Sequence, residues 1–286
     1  GLSPAVCICL VYVLDRKTVF RRKIRTAILF EIGYLIFLFV TIPYGIVFSV
    51  SADNIYSRGP HFYIYIIMYF GAILYLSVST IINAREFQNR SKLLIYPLFL
   101  FVMAETIIQV VLPKLHVTWL CITLLSVLYF IYCNEMWNQL DALTGLLNQN
   151  SYLRKTGGMG CKASVLVVFD VDDFKQINDR YGHIQGDLCL AGIAECIKKS
   201  YANFGYCYRI GGDEFCVLLK NGGNEGRCKQ EFLQRLQEKR GEIAFLPTVS
   251  YGSAPFSGED IVKVKDRADQ DMYQYKKERK NRKRLS

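Results

Sequence analysis

Two acidic pairs in the second half of the chain have the residue types that metal-dependent chemistry uses. Asp170 and Asp172 stand at the end of a continuous apolar run, and Asp213-Glu214 follows two glycines. If the two segments are neighbouring strands, four carboxylates converge on one spot, and their repulsion requires a cation. Oxygen ligands indicate Mg²⁺ or Mn²⁺, serving a two-metal phosphoryl transfer. A solvated acidic strand end beside a common hairpin explains the spacing equally well.

Two neighbouring features favour a nucleotide as the ligand of such a site. Gly211 and Gly212 leave no side chain at the turn before the second acidic pair, so a nucleotide can approach the backbone there. Lys175 lies one helical turn beyond the first acidic pair, within reach of a phosphate. Both arguments depend on the two acidic segments meeting in the fold.

An alternation of strands and helices must position these residues. The apolar run 164–169 predicts a buried strand, and segments 206–210 and 215–219 flank the glycines as a hairpin does. The other predicted elements are helices at 185–201, 227–240 and 259–279, a loop at 221–226 and a strand at 248–254. The order strand–helix–strand–strand–helix–strand predicts an α+β fold, a sheet of the split βαβ type with helices packed on it.

The second half of the chain resembles the GGDEF family of diguanylate cyclases. Four of the family's motifs occur here in the family's order, which is a very specific match. They read Asp141-Ala-Leu143-Thr144-Gly145-Leu146-Leu-Asn148, Asp170-Val171-Asp172-Asp-Phe174-Lys175 continuing to Gly186-Asp187, Arg209-Ile-Gly211-Gly212-Asp213-Glu214-Phe215, and Ala268-Asp269-Gln-Asp-Met272-Tyr273-Gln-Tyr-Lys276. The resemblance implies a cyclase- and polymerase-palm-like domain with a ferredoxin-like core. It also implies a reaction that joins two GTP molecules into cyclic di-GMP and releases two pyrophosphates.

The resemblance assigns roles to the acidic residues. Asp170, the carbonyl of Val171 and Asp213 match metal ligands, and Glu214 matches a second acidic ligand beside them. Asp213 also matches the proton acceptor for the attacking 3′-hydroxyl, so Asp213 and Glu214 are the expected catalytic residues. The implied cofactor is Mg²⁺ or Mn²⁺.

The resemblance also assigns residues to the nucleotide. Asn178 and Asp187 match guanine-reading positions, and His183 matches a further substrate contact. The carboxylate of Asp187 can accept hydrogen bonds from the N1–H and N2–H₂ donors of guanine, so GTP is expected at both half-sites. Because each domain holds one GTP, the reaction requires two facing domains and hence a homodimer. The implied phosphate contacts are Lys175, Lys276 and Lys280.

Two departures from the family pattern bear on regulation and on one phosphate contact. Many members carry an Arg-x-x-Asp motif before the name motif, where bound product inhibits the enzyme. Residues 202–205 read Ala-Asn-Phe-Gly, so we predict no feedback there. Members usually read Lys-x-x-Gly-Arg-Asn near the end, whereas Arg279 and Lys280 stand here in place of Gly-Arg. Lysine keeps the charge but lacks the bidentate guanidinium fork.

The first half of the chain has the composition of a membrane domain. Residues 1–133 hold 11 Lys/Arg and 5 Asp/Glu, against 24 and 20 in residues 134–286. A membrane-crossing helix needs about 20 mostly apolar residues. The apolar run 2–14 is interpreted as the end of a truncated span rather than a signal peptide, because no small-residue cleavage site follows it. Four further segments satisfy the length requirement: 27–50, 62–82, 93–112 and 117–133.

Loop charges predict the orientation of this domain. Segments 15–26 and 83–92 together carry nine Lys/Arg, whereas segments 51–61 and 113–116 carry two. Positively charged loops stay on the cytoplasmic side, so a path of five spans leaves everything after residue 133 in the cytoplasm. We therefore expect a multi-pass protein of the bacterial plasma membrane, in contact with lipid.

Three acidic or amide side chains fall inside the predicted spans. Glu105 and Gln109 lie on one helical face, where a buried carboxylate either packs inside the bundle or serves as a ligand or proton site. Glu31 is expected to extend to the membrane surface beside Arg25. Aromatic residues are abundant here, but interfacial belts and core packing explain them without a ligand.

The junction between the halves is predicted to be helical. Residues 134–140 contain no helix breaker, which indicates a helical linker that continues the last span. Leucines and a methionine then recur with the spacing 4-3-4, which is typical either of a short coiled coil or of ordinary packing; they are Met136, Leu140, Leu143 and Leu147.

Several classes of function are disfavoured. Three histidines and the absence of a Cys-x-x-Cys pair predict neither structural zinc nor a disulfide. The basic tail 276–284 is interpreted as a solvated helix end, so no nucleic-acid partner is expected.

The prediction is a membrane domain (1–133), a helical linker (134–140) and a cyclase domain (141–286). The alternatives are a catalytically silent domain that binds GTP or cyclic di-GMP, and a transporter with a regulatory cyclase domain.

Overall fold

The computed structural model describes residues 3–14, 21–52, 56–86, 95–112, 118–157, 163–257 and 259–285. The chain divides into two compact units, Gly1–Met136 and Trp137–Ser286. Each unit is described below by itself.

The first unit is built from helices with one short hairpin. The helices are α1 (Ser3–Leu14), α2 (Arg21–Thr41), α3 (Tyr63–Glu86), α4 (Ile95–Val111) and α5 (Thr118–Trp137), and the hairpin strands are β1 (Phe48–Val50) and β2 (Tyr56–Arg58). Three stretches in the described part are long and apolar enough to cross a membrane: Arg25–Tyr44, Tyr63–Ile82 and Trp119–Trp137. The apolar stretches Ser3–Tyr12 and Phe99–Ile108 are shorter.

The helix α2 ends well before the predicted boundary at residue 50. Pro43 has no backbone N–H to continue a helix, and Gly45 adopts a left-handed conformation with φ 61°. The chain then turns into the β1–β2 hairpin, in which Val50 pairs with Tyr56. The prediction of one span over 27–50 is therefore wrong at its carboxyl end.

The charged loops that predicted the orientation lie largely outside the described residues, which omit 15–20 and 87–94. Glu31 does not extend to a surface as expected, because only 5% of it is exposed. Glu105 is buried as well. The side chain of Gln109 lies outside the described set.

The second unit is a four-stranded antiparallel sheet with helices on it, which confirms the predicted α+β fold. The strands are β3 (Val165–Val171), β4 (Gly205–Arg209), β5 (Glu214–Leu219) and β6 (Val249–Pro255), in the spatial order β4-β5-β3-β6. The helices are α6 (Gln149–Thr156), α7 (Phe174–Tyr181), α8 (His183–Tyr201), α9 (Glu225–Glu242) and α10 (Ile261–Leu285).

Alternate residues of β3 enter two different cores, because successive side chains of a strand point to opposite faces. Phe169 lies in one core, with Ile193 of α8 and Phe232 of α9. Leu166 and Val168 lie in the other core, together with Val264 and Ala268 of α10. Asp170 and Asp172 follow Leu166 and Val168 at the same two-residue spacing, so they fall on the α10 face.

The helical linker is shorter than predicted and does not continue as a coiled coil. α5 ends at Trp137, and Leu140 and Leu147 pair instead in an isolated antiparallel bridge. Gly145 has φ 65°, and the Asp141 carboxylate accepts hydrogen bonds from the backbone and hydroxyl of Thr144. This local turn interrupts the helix, so the coiled-coil interpretation of the leucine spacing is wrong.

Candidate active site

The two predicted acidic segments meet at one end of the sheet. β3 and β5 are antiparallel neighbours, and Asp170 is paired in register with Glu214. One residue further, the backbone N–H of Val171 donates to the carbonyl oxygen of Asp213 at 3.2 Å. The structure therefore brings together the four residues predicted as metal ligands, although their roles remain predictions.

The turn between β4 and β5 is held by its own backbone and by Arg209. The N–H groups of Ile210 and Gly211 both donate to the carbonyl oxygen of Glu214, at 3.0 and 3.3 Å. The guanidinium of Arg209 donates to the carbonyl oxygen of Gly212 at 2.7 and 3.3 Å. Arg209 thus braces the turn that presents Asp213.

Asp141 connects this turn to the loop after α5. Arg209 Nη1 donates to both carboxylate oxygens of Asp141, at 3.1 and 3.3 Å. Burial by itself raises the pKa of Asp141, but the hydrogen bonds from Thr144 and Arg209 outweigh it and hold the pKa below its ordinary value. Asp141 is therefore ionised at neutral pH and keeps Arg209 in place.

Lys276 of α10 occupies the space beside Asp170. Its ammonium group contacts the Asp170 carboxylate and lies 3.4 Å from Asp172 Oδ1. Burial is the largest single influence on the pKa of Lys276 and lowers it, but the contacts with the two carboxylates together raise it above its usual value. A full positive charge therefore stands next to a predicted metal ligand, as a phosphate contact requires.

Asp172 shares the ammonium group of Lys276 with Asp170, but its carboxylate is occupied by further donors of its own. Thr248 and Ser250 of the β6 region donate their hydroxyls to Asp172 at 2.7 Å, and Arg279 Nη1 donates at 3.2 Å. These donors satisfy a carboxylate that is only 8% exposed. Within the described ranges, no group of three or more acidic, His or Cys side chains is arranged to hold a metal ion.

The residues predicted to bind the nucleotide lie where α7 meets α8. β3 leads through Asp173, with φ 55°, directly into α7, which carries Lys175 and Asn178. Gly182, with φ 85°, separates the two helices, and His183 is the first residue of α8. His183, Asp187 and Lys175 are exposed, and Asn178 is half-buried.

A glycine of α8 lets the side chain of Asn178 approach that helix closely. A β-carbon at Gly186 would overlap Oδ1 of Asn178, so the Asn178 side chain lies directly against the backbone of α8. Asp187 is the next residue. Asn178 thus contacts α8 at the residue before Asp187, the second predicted guanine reader.

The structure describes two positions at which the chain departs from the family pattern, residues 205 and 279. A β-carbon at Gly205 would overlap the carbonyl oxygen of Leu218, so an aspartate at this position would force β4 and β5 apart. Arg279, which stands where family members usually have glycine, binds Asp172 and the carbonyl oxygen of Val249. The contact between Arg279 and Asp172 was not predicted from the sequence, although the departure from the family pattern at residue 279 marked the position as unusual. The Lys280 side chain lies outside the described residues.

The family model for the GGDEF domain of diguanylate cyclases matches residues 138–282. The chain belongs to the GGDEF family. Relatives include diguanylate cyclase DgcS of Shewanella oneidensis, 31% identical over 160 residues covering 53% of this chain and 54% of that protein. Diguanylate cyclase DgcM of Escherichia coli is 34% identical over 151 residues, covering 50% of this chain and 37% of that protein. The chain thus spans about half or less of the length of these curated relatives.

Solved structures of GGDEF domains are also similar to this chain. A microbial GGDEF domain studied for its interaction with cyclic di-GMP is 32% identical and covers 49% of this chain and 93% of its own, with a TM-score of 0.39. The GGDEF domain of DgcB from Caulobacter crescentus in complex with c-di-GMP is 25% identical, covering 49% and 90%, with a TM-score of 0.40. Because both TM-scores are below 0.5, the family assignment rests on the sequence match over residues 138–282.

Proposed function

We propose that this chain is a membrane-anchored diguanylate cyclase that condenses two GTP molecules into cyclic di-GMP and two pyrophosphates. The observation that carries the proposal is the pairing of Asp170 with Glu214 and of Val171 with Asp213 at one sheet end, in a member of the GGDEF family. Relatives about 30% identical to this chain are diguanylate cyclases.

The reaction consists of two equivalent displacements. The 3′-hydroxyl oxygen of each GTP attacks the α-phosphorus of the other, the bond to the β-phosphate breaks, and pyrophosphate leaves. The hydroxyl proton passes to the carboxylate of Asp213, which the turn braced by Arg209 presents. Each domain binds one GTP, so two copies of the chain must face each other as a homodimer.

The donor atoms at the sheet end fit Mg²⁺ or Mn²⁺. Asp170, Asp213 and the Val171 carbonyl supply hard oxygen ligands, and Glu214 adds a further carboxylate on the exposed side. Mg²⁺ is commonly bound by one or two carboxylates with substrate phosphates completing the shell, so a cage of three acidic side chains is not required. A bound ion would stabilise the charge that develops on the phosphate oxygens.

The nucleotide is held at both ends. Asn178 and Asp187 accept from the guanine base, with His183 as a further contact, and the phosphates meet lysines of α7 and α10, namely Lys175, Lys276 and Lys280. Lys276 reaches the site from α10, where it already contacts Asp170. Incoming phosphates would compete with Asp170 for this ammonium group and so free the carboxylate for the metal.

The first unit would anchor the enzyme in the bacterial plasma membrane. Three helices long and apolar enough to span a bilayer support this placement. The proposed orientation, with the GGDEF domain in the cytoplasm, rests on the positive charge of segments 15–26 and 83–92. GTP is available on that side.

Incubation of the full chain in nanodiscs with GTP and Mg²⁺, followed by mass spectrometry, tests the activity. Asp213→Asn should reduce cyclic di-GMP formation at least 100-fold, because it removes the proton acceptor. Glu238→Gln, an exposed change on α9, should leave the rate unaltered. Product formation by Asp213→Asn at the wild-type rate would refute the assignment.

A catalytically silent GGDEF domain that binds GTP or cyclic di-GMP is the second candidate. The observation in its favour is that Lys276 already neutralises Asp170, a predicted metal ligand. In the same nanodisc experiment, saturable GTP binding without product at any Mg²⁺ or Mn²⁺ concentration would select this alternative.

A further inference from the structure

Arg279 of α10 places a second positive charge beside the site. Residues three apart on a helix share one face, so Arg279 projects from the same side of α10 as Lys276. Both cations reach Asp172: Arg279 Nη1 lies 3.2 Å from Oδ2, and Lys276 Nζ lies 3.4 Å from Oδ1. One carboxylate is therefore shared by two cations of the same helix.

The charge of Asp172 must be compensated because the residue is buried. Only 8% of it is exposed, and the hydroxyls of Thr248 and Ser250 each donate to one of its oxygens at 2.7 Å. Hydroxyl groups satisfy the hydrogen-bonding capacity of a carboxylate but carry no net charge. In the part of the chain that the structure describes, the ion pairs of Asp172 are those with Lys276 and Arg279. Loss of the cation from a buried ion pair leaves an uncompensated charge, which is strongly destabilising.

The two cations differ in how firmly they are tied to Asp172. Lys276 also contacts Asp170, and the proposed function requires its ammonium group to move to the phosphates of the nucleotide. Arg279 is fixed at a second point, because its Nη1 also donates to the carbonyl oxygen of Val249 at 3.3 Å. Arg279 is therefore the cation that can stay with Asp172 when Lys276 leaves.

We propose that Arg279 is a positioning residue for the nucleotide: it compensates the charge of Asp172 and thereby releases Lys276 to bind the phosphates of GTP. Arg279 contacts neither the substrate nor the metal in this role. Without it, withdrawing Lys276 to a phosphate would leave the buried carboxylate without either of its two cations. The inference rests on the proposed function in taking GTP as the ligand, but it does not require that cyclic di-GMP is formed.

Titration of the full chain in nanodiscs with guanosine 5′-(α,β-methylene)triphosphate and Mg²⁺ tests the proposal. The analogue cannot release pyrophosphate, so binding is measured without turnover. Arg279→Ala should weaken binding about tenfold, because Lys276 is then held by Asp172. Arg279→Lys should bind within about threefold of the wild type, since an ammonium group also compensates a carboxylate. The matched control is Lys277→Ala, which removes an exposed positive charge from the same turn of α10 and should weaken binding less than about twofold.

A double substitution separates this role from a purely structural one. Asp172→Asn removes the buried charge, so Arg279→Ala added to it should change the affinity by less than about twofold. If Arg279 only held α10 against β6 through the Val249 carbonyl, the tenfold loss would persist in the Asp172→Asn background, and the proposal would be wrong. Wild-type affinity in Arg279→Ala would also overturn it. Thermal unfolding verifies that each variant is folded, and Arg279→Gln replaces Arg279→Ala if the latter is not.

The binding measurement is independent of the proposed cyclase activity. A wild-type chain that makes no cyclic di-GMP from GTP, with the expected affinities in the Arg279 variants, would refute the proposed function and support this role of Arg279. Formation of cyclic di-GMP together with equal affinities of the wild type and Arg279→Ala would do the reverse. Failure of the wild type to bind the analogue would overturn both.

Discussion

Arg209 shows how one side chain can couple a catalytic turn to a distant loop. Its guanidinium group binds the Gly212 carbonyl on one side and the Asp141 carboxylate on the other. Asp141 comes from the loop that follows α5, and Gly212 lies directly before Asp213. The position of the proposed proton acceptor therefore depends on a residue that stands at the entrance to the second unit.

Arg209→Ala should loosen this turn and slow the reaction. The Gly212 carbonyl and the Asp141 carboxylate would both lose their donor. Hydrogen bonds to charged groups are worth about 1.5–3 kcal/mol. We expect the opening free energy of residues 209–215 to fall by about 2 kcal/mol in amide hydrogen exchange on the full chain. Arg235→Ala, which breaks the half-buried i,i+4 pair with Glu231, should cost less than about 1 kcal/mol locally. Equal effects of the two substitutions would mean that Arg209 is not a brace.

Glu195 should make the α8–α9 contact sensitive to acid. Hydrogen bonds from Lys199 of α8 and then Lys239 of α9 lower the pKa of Glu195 to about 2. Because the folded pKa lies below the ordinary value of 4.5, this contribution to stability is complete above about pH 4.5 and is lost as pH falls toward 2. Protection factors of α9 amides should decline over that interval. The decline should be smaller in Glu195→Gln and unchanged in Glu238→Gln.

At the scale of elements, the approach of α10 to the sheet places Lys276 at the site. A β-carbon on Gly252 of β6 would overlap the carbonyl oxygen of Ala268 and the backbone nitrogen of Met272. The helix therefore lies against the backbone of β6, one turn before Lys276. Residue 252 must be a glycine because any side chain there would overlap the backbone of α10.

Gly252→Ala should displace α10 and reduce both stability and activity. Overpacking of this kind costs about 1–3 kcal/mol, and the displaced helix carries Lys276 away from Asp170. We expect a lower thermal midpoint and a higher KM for GTP, since a phosphate contact is lost. Gly226→Ala is the matched control, because a β-carbon there meets open space inside α9 and should not destabilise the chain. A normal KM in Gly252→Ala would contradict this role for the α10 contact.

The sequence alone predicted the elements that have strong local patterns. It did not predict features that depend on residues far apart in the chain. The apolar run that forms β3 and the glycines before β5 predicted the strands and their pairing. For α7 the sequence reading gave only a helix that carries Lys175 after the first acidic pair, without its bounds Phe174–Tyr181. The role of Asp172 depends on Thr248 and Arg279, which lie 76 and 107 residues away, so no local pattern reveals it. The same limit applies to the α5 boundary, which the bridge between Leu140 and Leu147 sets.

At the scale of the whole molecule, the proposed chemistry requires two copies and the proposed anchor brings them together. Confinement to a membrane raises the effective concentration of one GGDEF domain around another without any new contact. In the proposed mechanism, each domain would supply its own proton acceptor, Asp213, for the 3′-hydroxyl of the GTP that it holds. Two different copies of the chain would then form the two phosphodiester bonds.

A mixed dimer should stop after the first bond. Wild-type and Asp213→Asn chains carrying different affinity tags can be purified in tandem, so that each nanodisc holds one of each. The wild-type copy activates its own 3′-hydroxyl and forms the linear dinucleotide pppGpG with release of one pyrophosphate. The variant copy lacks the acceptor needed to close the ring. Mass spectrometry should find pppGpG accumulating and little cyclic di-GMP, whereas cyclic di-GMP at half the wild-type rate would show that one Asp213 serves both bonds.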